Sequence, residues 1–163
     1  EIAQCLVGSE MCIRDRKKGD SVLDVGCGSG ILSIAALKLG AAHATAIDIN
    51  EVAVKVAAEN MEVNHIPASQ YTLFDGDLIT NSFLKVKAGT GHDIVVANIL
   101  ADVIIPMAPV IPARLKRGGY FITSGIIDFK ENAVKEAIEA AGLTVVEINH
   151  QGEWVNITAR KPE

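Results

Sequence analysis

Two aspartates and three glycines are the residues of this 163-residue chain whose types and spacing could bind a nucleoside. Asp24 lies near the end of an apolar run, and Gly26, Gly28 and Gly30 follow it. Asp48 ends the next apolar run. Glycine adopts backbone angles that other residues avoid and lets a ligand approach the main chain, and one carboxylate can accept hydrogen bonds from two ribose hydroxyls. The pattern predicts a nucleoside site between a strand and a helix.

The glycine spacing distinguishes among nucleoside cofactors. The dinucleotide fingerprint is G-x-G-x-x-G with an acid about 20 residues later, but this chain reads G-x-G-x-G, and Ile31 stands where the third glycine would be. A carboxylate at Asp24 would repel a pyrophosphate and attract an ammonium or a sulfonium group. We therefore expect S-adenosylmethionine as the cofactor. The alternatives are a nicotinamide or flavin site and a glycine turn that binds no ligand.

The elements that must position these residues alternate between strand and helix. Hydrophobic runs predict strands, and helical spacing with Gly40 and Gly142 as stops predicts helices. The predicted strands are 21–25, 44–48, 71–74, 93–97, 120–124, 143–149 and 154–160. The predicted helices are 29–39, 51–63, 101–115 and 128–142, and segment 78–91 is expected to be irregular with one turn near Phe83.

Local signals refine these helices. Asn50 is expected to cap the second helix, with Val52, Val56 and Met61 among its inward residues. Three prolines, Pro106, Pro109 and Pro112, predict that the third helix is broken. Asp128 with Glu131 has the spacing of a capping box for the last helix.

The order of elements predicts the fold class. It is α/β, with a doubly wound, mostly parallel, seven-stranded sheet and an antiparallel C-terminal hairpin joined at Gln151-Gly152. Ligands of such sheets bind at the carboxyl ends of the strands, near the switch point of the strand order. The glycine loop, Asp48, segment 75–77 and Asn98 all follow strands at that edge. Their convergence predicts a single crevice.

The amino-acid composition limits the partners and the cellular compartment expected for this chain. The net charge of −5 argues against nucleic acid as the main partner, but it suits a basic protein substrate. There is no apolar run of membrane-spanning length and no secretory signal pattern, and the three cysteines fit neither a disulfide framework nor a metal site. We expect a cytoplasmic monomer that holds no metal. Cys27 is interpreted as a small residue that fills a tight turn rather than as a nucleophile.

Residues 1–16 do not share the pattern that follows. They have no clean periodicity, and we interpret them as an artefactual translation at the edge of an assembled read, with an ordinary helix before the first strand as the alternative. The domain organisation is therefore predicted as a non-family segment at 1–16 and a cofactor-binding domain at 17–163.

From residue 17 onward the chain resembles the class I S-adenosylmethionine-dependent methyltransferases. More narrowly it resembles the PrmA family, which methylates protein eleven of the large ribosomal subunit. The glycine loop is specific only to the superfamily, and Asn98-Ile99-Leu100-Ala101 and Ser124-Gly125-Ile126 narrow the resemblance. The stretches that carry it are LDVGCGSGILSIAA (23–36), IDIN (47–50), VVANILA (95–101), GGYFITSGI (118–126) and EWV (153–155).

The resemblance implies roles for individual residues. Gly26 would lie against the methionine part of the cofactor, Asp48 would bind the ribose, and Asn98 would lie beside the transferable methyl and the incoming amine. Asp77 would lie near the adenine, although a turn residue is the favoured interpretation there. The cofactor-binding set is therefore Asp24, Gly26, Gly28, Asp48 and Asn98, and Asn98 is also the catalytic candidate.

The resemblance also implies a substrate, and it shows where this sequence differs from other family members. The expected reaction is methyl transfer to lysine or N-terminal amines of a basic large-subunit ribosomal protein, without direct contact to nucleic acid or membrane. Family members carry an N-terminal substrate-binding domain and an upstream Gly-Thr-Gly stretch that this sequence does not display, so we expect a catalytic-domain fragment. The alternatives are a class I methyltransferase for another substrate and an inactive nucleoside-binding fragment.

Overall fold

The computed structural model describes residues 18–163. The predicted segment 1–16 lies outside the described residues, so the boundary at residue 17 stays a prediction. The strands of the described part are β1 (Ser21–Val25), β2 (His43–Asp48), β3 (Tyr71–Asp75), β4 (His92–Asn98), β5 (Leu115–Ile127), β6 (Thr144–Gln151) and β7 (Trp154–Arg160). Its helices are α1 (Ile31–Lys38), α2 (Glu51–Val63), α3 (Ser82–Lys87), α4 (Ala101–Met107) and α5 (Glu131–Ala140), with short 3-10 helices at Ala68–Gln70, Ala108–Ala113 and Asp128–Lys130.

The strands form a seven-stranded sheet in the order β3-β2-β1-β4-β5-β7-β6. Strands β1 to β5 pair in parallel, and β7 runs antiparallel to both β5 and β6. The strand order reverses between β1 and β4, so the crevice of a doubly wound sheet lies outside their carboxyl ends. The predicted fold class is confirmed.

Helices cover both faces of the sheet because alternate residues of each strand point to opposite sides. On β4, Val95 and Ala97 join the larger core cluster with residues of α4 and α5, whereas Ile94 and Val96 pack with Leu32 of α1. The short aliphatic side chains of the central strands fit a sheet that is buried on both faces. No helix of residues 18–163 is long and apolar enough to cross a membrane.

In the second helix the predicted cap and one predicted inward residue are confirmed, and two predicted inward residues are wrong. The Asn50 side chain accepts a hydrogen bond from the Val52 amide at 2.9 Å, as an N-cap residue should. Val52 and Val56 are 63% and 38% exposed, however, so they do not face inward. Met61 is fully buried, as predicted, and the inward stripe runs through it and Ala57, whereas the two valines lie on the opposite stripe.

Other boundaries differ for local reasons. The predicted capping box is wrong, because a 3-10 turn at Asp128–Lys130 precedes α5 and the Asp128 carboxylate accepts from the Phe129 amide at 2.6 Å. Segment 78–91 contains α3, which Asn81 caps through the Leu84 amide. The prolines break the predicted helix 101–115, as expected, into α4 and a 3-10 helix at Ala108–Ala113.

Candidate functional site

The glycine loop lies across the carboxyl ends of β1 and β2. The amides of Gly26 and Cys27 both donate to the Ile47 carbonyl, at 2.8 and 3.0 Å, which fastens the loop to the end of β2. Gly28 has a φ of +53°, and a β-carbon placed there would meet no atom within 4 Å. Its glycine identity therefore follows from the left-handed backbone and not from packing. Within the loop, Gly28 therefore leaves open space that a ligand could enter.

Asp48, at the end of β2, joins this loop to the next helix. One carboxylate oxygen accepts from the Gly28 amide at 2.8 Å, and the other accepts from the Asn50 amide at 2.9 Å. A carboxylate offers about four lone-pair sites, so about two remain after these contacts. Asp48 can therefore shape the glycine loop and still accept hydrogen bonds from two vicinal hydroxyls.

Asp24 is the more unusual carboxylate, because it is only 1% exposed. Its Oδ2 accepts from the Ser33 hydroxyl at 2.7 Å and from the Ser33 amide at 3.2 Å. Its Oδ1 is buried and has no hydrogen-bond partner. Burial raises the pKa of Asp24 from 3.8 to about 6, and the Asp48 charge adds to this, while the two hydrogen bonds from Ser33 oppose it.

These two carboxylates decide what kind of ligand fits the loop. A buried carboxylate oxygen without a partner is costly, and a cation or an N–H donor would satisfy it. A pyrophosphate would bring a second negative charge to the same place. The arrangement therefore favours a cationic ligand with a ribose over a dinucleotide.

The thiol of Cys27 does not contribute a nucleophile. Burial, reinforced by the charges of Asp24 and Asp48, raises the pKa of Cys27 to about 12. A thiol with such a pKa holds almost no thiolate at neutral pH, and the thiolate is the reactive form. Cys27 also packs with Ala46 and Ala57, in agreement with its interpretation as a small residue filling the turn.

Asn98 lies at the end of β4, on the other side of the switch point. It pairs in register with Ser124 of β5, and the Ile99-Leu100 link connects it to α4. A β-carbon at Gly26 would overlap Ile99 Cγ2, so the glycine loop and the residue after Asn98 are in direct contact. The structure thus brings Asn98 to the same crevice as Asp24, Gly26, Gly28 and Asp48.

The Asp77 carboxylate accepts hydrogen bonds from residues of its own loop. Its two carboxylate oxygens accept from the Ile79 amide and from the Thr80 hydroxyl, both at 2.8 Å. Both partners belong to the loop after β3, which is the pattern of an Asx turn. This geometry agrees with the interpretation of Asp77 as a turn residue.

Three residues of the site carried no role in the sequence-based prediction. Ser33 holds Asp24, Ile99 fills the space beside Gly26, and Gly125 lies against Asn98. Ser33 could have been noticed as a hydroxyl on a buried helix face, and Gly125 as a glycine inside a strand, which often marks a bulge. Ile99 gave no signal, because its contact depends on how β1 and β4 lie side by side.

Three of the four histidines have contacts that involve neither the glycine loop nor Asn98. His43 contacts Thr72 Oγ1 at 3.0 Å and His92 contacts the Ala88 carbonyl at 2.7 Å, both at strand starts and therefore at the opposite edge of the sheet. His150 contacts Glu131 at 2.5 Å. Among residues 18–163 no group of three or more His, Cys, Asp or Glu side chains is arranged to hold a metal ion.

Comparison with known proteins agrees with this arrangement. The family model described as ribosomal protein L11 methyltransferase (PrmA) matches residues 3–162. The chain is 65% identical over 150 residues to the ribosomal protein L11 methyltransferase of Agathobacter rectalis, covering 91% of this chain and 46% of that protein. It is 53% identical over 147 residues to that of Lachnospira eligens, covering 89% and 46%.

A solved structure is also similar. The ribosomal protein L11 methylase of Lactobacillus delbrueckii subsp. bulgaricus superposes with a TM-score of 0.84 at 29% identity, covering 98% of this chain and 78% of that one. The chain spans about half the length of the curated relatives it matches. With the family model matching nearly the whole chain, this protein belongs to the ribosomal protein L11 methyltransferase (PrmA) family.

Proposed function

We propose that this chain binds S-adenosylmethionine and is the catalytic part of an enzyme that methylates amino groups of ribosomal protein L11. The observation that carries the proposal is the unpartnered, buried Oδ1 of Asp24 beside the loop that Asp48 holds. The names of the relatives support the substrate. Lysine side chains and the N-terminal amine are the proposed acceptors.

The residues present fit this cofactor. Asp24 would balance the positive charge of its amino-acid end, and Asp48 would accept from the ribose hydroxyls. Gly28 would allow close approach of the main chain, whereas Ile99 takes the space beside Gly26. When bound, the cofactor supplies a methyl group on a sulfonium, which is already a good leaving group. The protein therefore contributes mainly alignment.

The acceptor amine is the harder reactant to prepare. A lysine ammonium has no lone pair, and its usual pKa of about 10.4 means that deprotonation at pH 7 costs about 4–5 kcal/mol at 1.36 kcal/mol per unit. The Asn98 side-chain oxygen can accept a hydrogen bond from a neutral amine without adding a charge that would stabilise the ammonium. We assign Asn98 this orienting role, with the backbone carbonyls of 98–100 as further acceptors.

The chemistry needs no dedicated base at the site. With the cofactor bound, the amine lone pair would take up the methyl group, a neutral thioether would depart with the electron pair of the broken S–C bond, and the amine proton would leave to water. The net charge of −5 suits a basic protein substrate. We further propose that the protein acts as a cytoplasmic monomer without direct contact to nucleic acid or membrane.

The test of the cofactor is calorimetric titration with S-adenosylmethionine and, separately, with NADH. The reference chain, Asp48→Ala and the control Asp102→Ala should be compared, because Asp102 is an exposed carboxylate whose surface ion pair with Lys130 contributes little. Saturable binding of the sulfonium compound alone, lost in Asp48→Ala and kept in Asp102→Ala, is expected. Binding of NADH instead would overturn the cofactor assignment.

The test of the substrate is transfer of labelled methyl groups to purified ribosomal protein L11, followed by mass spectrometry of the product. Methyl groups on lysine or the N-terminal amine are expected, and Asn98→Ala should lower kcat. Cofactor binding without methyl transfer would contradict the proposal that this chain catalyses the reaction.

A further inference from the structure

The last parallel strand of the sheet carries a bulge beside Asn98. Thr123 of β5 pairs with Ile157 of β7, but the next recorded pair is Ile126 with Val155, so β5 contains one residue more than its partner. Gly125 lies within this bulge and has a φ of +78°. One type of bulge has a glycine in the left-handed conformation, and bulges can re-aim a neighbouring side chain.

The side of Gly125 that lacks a side chain faces the end of β4. A β-carbon at this position would lie 2.8 Å from Asn98 Oδ1, 3.1 Å from the Ile99 carbonyl oxygen and 3.4 Å from the Ile99 amide nitrogen. The first two distances are shorter than ordinary van der Waals contact with carbon, and two of the three atoms belong to the backbone. Substitution at Gly125 would therefore displace both the Asn98 side chain and the link that follows it.

A second glycine holds the same link from the opposite side. A β-carbon at Gly26 would overlap Ile99 Cγ2, so the Ile99 side chain occupies the space beside Gly26. Ile99 is partly buried and packs against the larger core cluster. The residue after Asn98 is thus held by its side chain against the β1 loop and by its backbone against the β5 bulge.

We propose that Gly125 is a positioning residue, whose bulge sets the orientation of the Asn98 amide toward the acceptor amine, with Gly26 and Ile99 as the opposing support. The inference rests on the proposed role of Asn98 as the group that orients the amine. The proposal explains why the middle residue of the Ser-Gly-Ile stretch is a glycine. A side chain at Gly125 would turn the Asn98 side-chain oxygen away from the acceptor amine.

The primary test compares Gly125→Ala with Gly91→Ala. Gly91 has nearly the same left-handed φ, +76°, but a β-carbon there would meet no atom within 4 Å, so it reports the backbone strain alone. Gly125→Ala should lower kcat about tenfold or more relative to Gly91→Ala, since misplacement of a reacting partner by about 1 Å can cost a hundredfold. The dissociation constant of S-adenosylmethionine should stay within about twofold, because Gly125 lies on the acceptor side of the crevice.

A double-mutant cycle tests whether Gly125 acts through Asn98. In the Asn98→Ala background the oxygen that the new methyl group would displace is gone, so adding Gly125→Ala should cost much less in kcat than it does alone. Equal losses in both backgrounds would overturn the proposal, because Gly125 would then act through general stability.

A spectroscopic readout does not depend on catalysis. The Asn98 side-chain amide signals in a nitrogen–proton correlation spectrum, assigned by their loss in Asn98→Ala, should shift in Gly125→Ala and stay in place in Gly91→Ala. If the reference chain transfers no methyl group, the proposed function fails but this readout still decides the positioning. Unmoved Asn98 signals would overturn it.

A second variant covers the case in which Gly125→Ala does not fold. Ile99→Ala removes the support beside Gly26 without adding any atom, and Ile148→Ala is its control, because both isoleucines are partly buried against the same cluster. Ile99→Ala should lower kcat and shift the Asn98 amide signals, whereas Ile148→Ala should do neither. Equal behaviour of the two variants would contradict the role of the Ile99 link.

Discussion

Replacing Asp24 with Asn should remove a pH-dependent cost from the folded protein. The side chain is 1% exposed, one of its oxygens has no partner, and burial raises its pKa from 3.8 to about 6. The folded protein therefore keeps this proton up to about pH 6, whereas the unfolded chain releases it near 3.8. Between these values the folded state binds more protons, so the stability contributed by Asp24 is present at low pH and is lost as pH rises.

The size of this loss follows from the shift. A difference of roughly 2 pKa units corresponds to about 3 kcal/mol at 1.36 kcal/mol per unit. Asn has almost the same shape as Asp and keeps one acceptor for Ser33, but it carries no charge at any pH. The unfolding free energy of Asp24→Asn, minus that of the reference chain, should rise by up to about 3 kcal/mol between pH 4 and pH 7.

The assay is urea unfolding of both proteins at several pH values in that range. The exposed Asp75 offers Asp75→Asn as a control for the replacement itself. The reasoning would be refuted if the difference in unfolding free energy between Asp24→Asn and the reference chain stayed constant within about 0.5 kcal/mol over this pH range. A change of that size is no larger than the usual effect of a surface substitution. A difference that falls with pH would refute its sign.

The same titration should appear in cofactor binding. If the proposed cofactor needs ionised Asp24, the binding-competent fraction rises from about one tenth at pH 5 to about nine tenths at pH 7, so the apparent affinity rises about tenfold. In Asp24→Asn the affinity should be lower at pH 7 and should lose this dependence. A parallel rise in both proteins would assign the pH effect to another group.

Three further substitutions separate binding from stability. Gly28→Ala should lower cofactor affinity at least about tenfold but cost only about 1–2 kcal/mol in unfolding free energy. The cost is small because the new β-carbon meets open space and only the left-handed backbone is strained. Unchanged affinity in calorimetry would argue against close approach of the ligand at Gly28. Asp77→Ala removes two hydrogen bonds of its own loop and should cost about 1–3 kcal/mol with cofactor affinity within about threefold; a large affinity loss would restore an adenine-side role. Phe121→Ala, at a fully buried core position, should cost about 3–5 kcal/mol in urea unfolding, and a loss below about 1 kcal/mol would mean that the sheet repacks around the cavity.

The sequence was sufficient for the fold because its signals are local and repeated. Apolar runs predicted six of the seven strands to within two residues, and Asn50 marked the start of α2. The prediction for β5 was too short, because the strand predicted at 120–124 spans Leu115–Ile127. The errors arose where local signals conflicted with packing. Val52 and Val56 are apolar but lie on the exposed stripe of α2, since Ala57 and Met61 are the residues that fit against the sheet. Hydrophobicity alone does not identify which stripe of a short amphipathic helix is buried.

The candidate site was predictable in part for the same reason. Asp24, the glycine loop and Asp48 occur next to strand ends, so their placement at one edge follows from a parallel sheet. Asn98 required the resemblance, because a single amide after a strand has no chemical signature of its own. The Ser33 contact with Asp24 and the Ile99 contact with Gly26 join residues from different elements, and only the register of α1, β1 and β4 brings them together.

The site divides into two parts that meet at the switch point of the sheet. On the β1–β2 side, carboxylates and open backbone would hold a cationic nucleoside, and the hydrogen bonds of Asp48 and Ser33 shape that part. On the β4–β5 side, the bulge at Gly125 lies close to the uncharged side-chain amide of Asn98. The Ile99 side chain against Gly26 is one contact between the two parts. Substitutions on the first side should therefore change cofactor affinity, those on the second side should change kcat, and those at Ile99 should report how strongly the two are coupled.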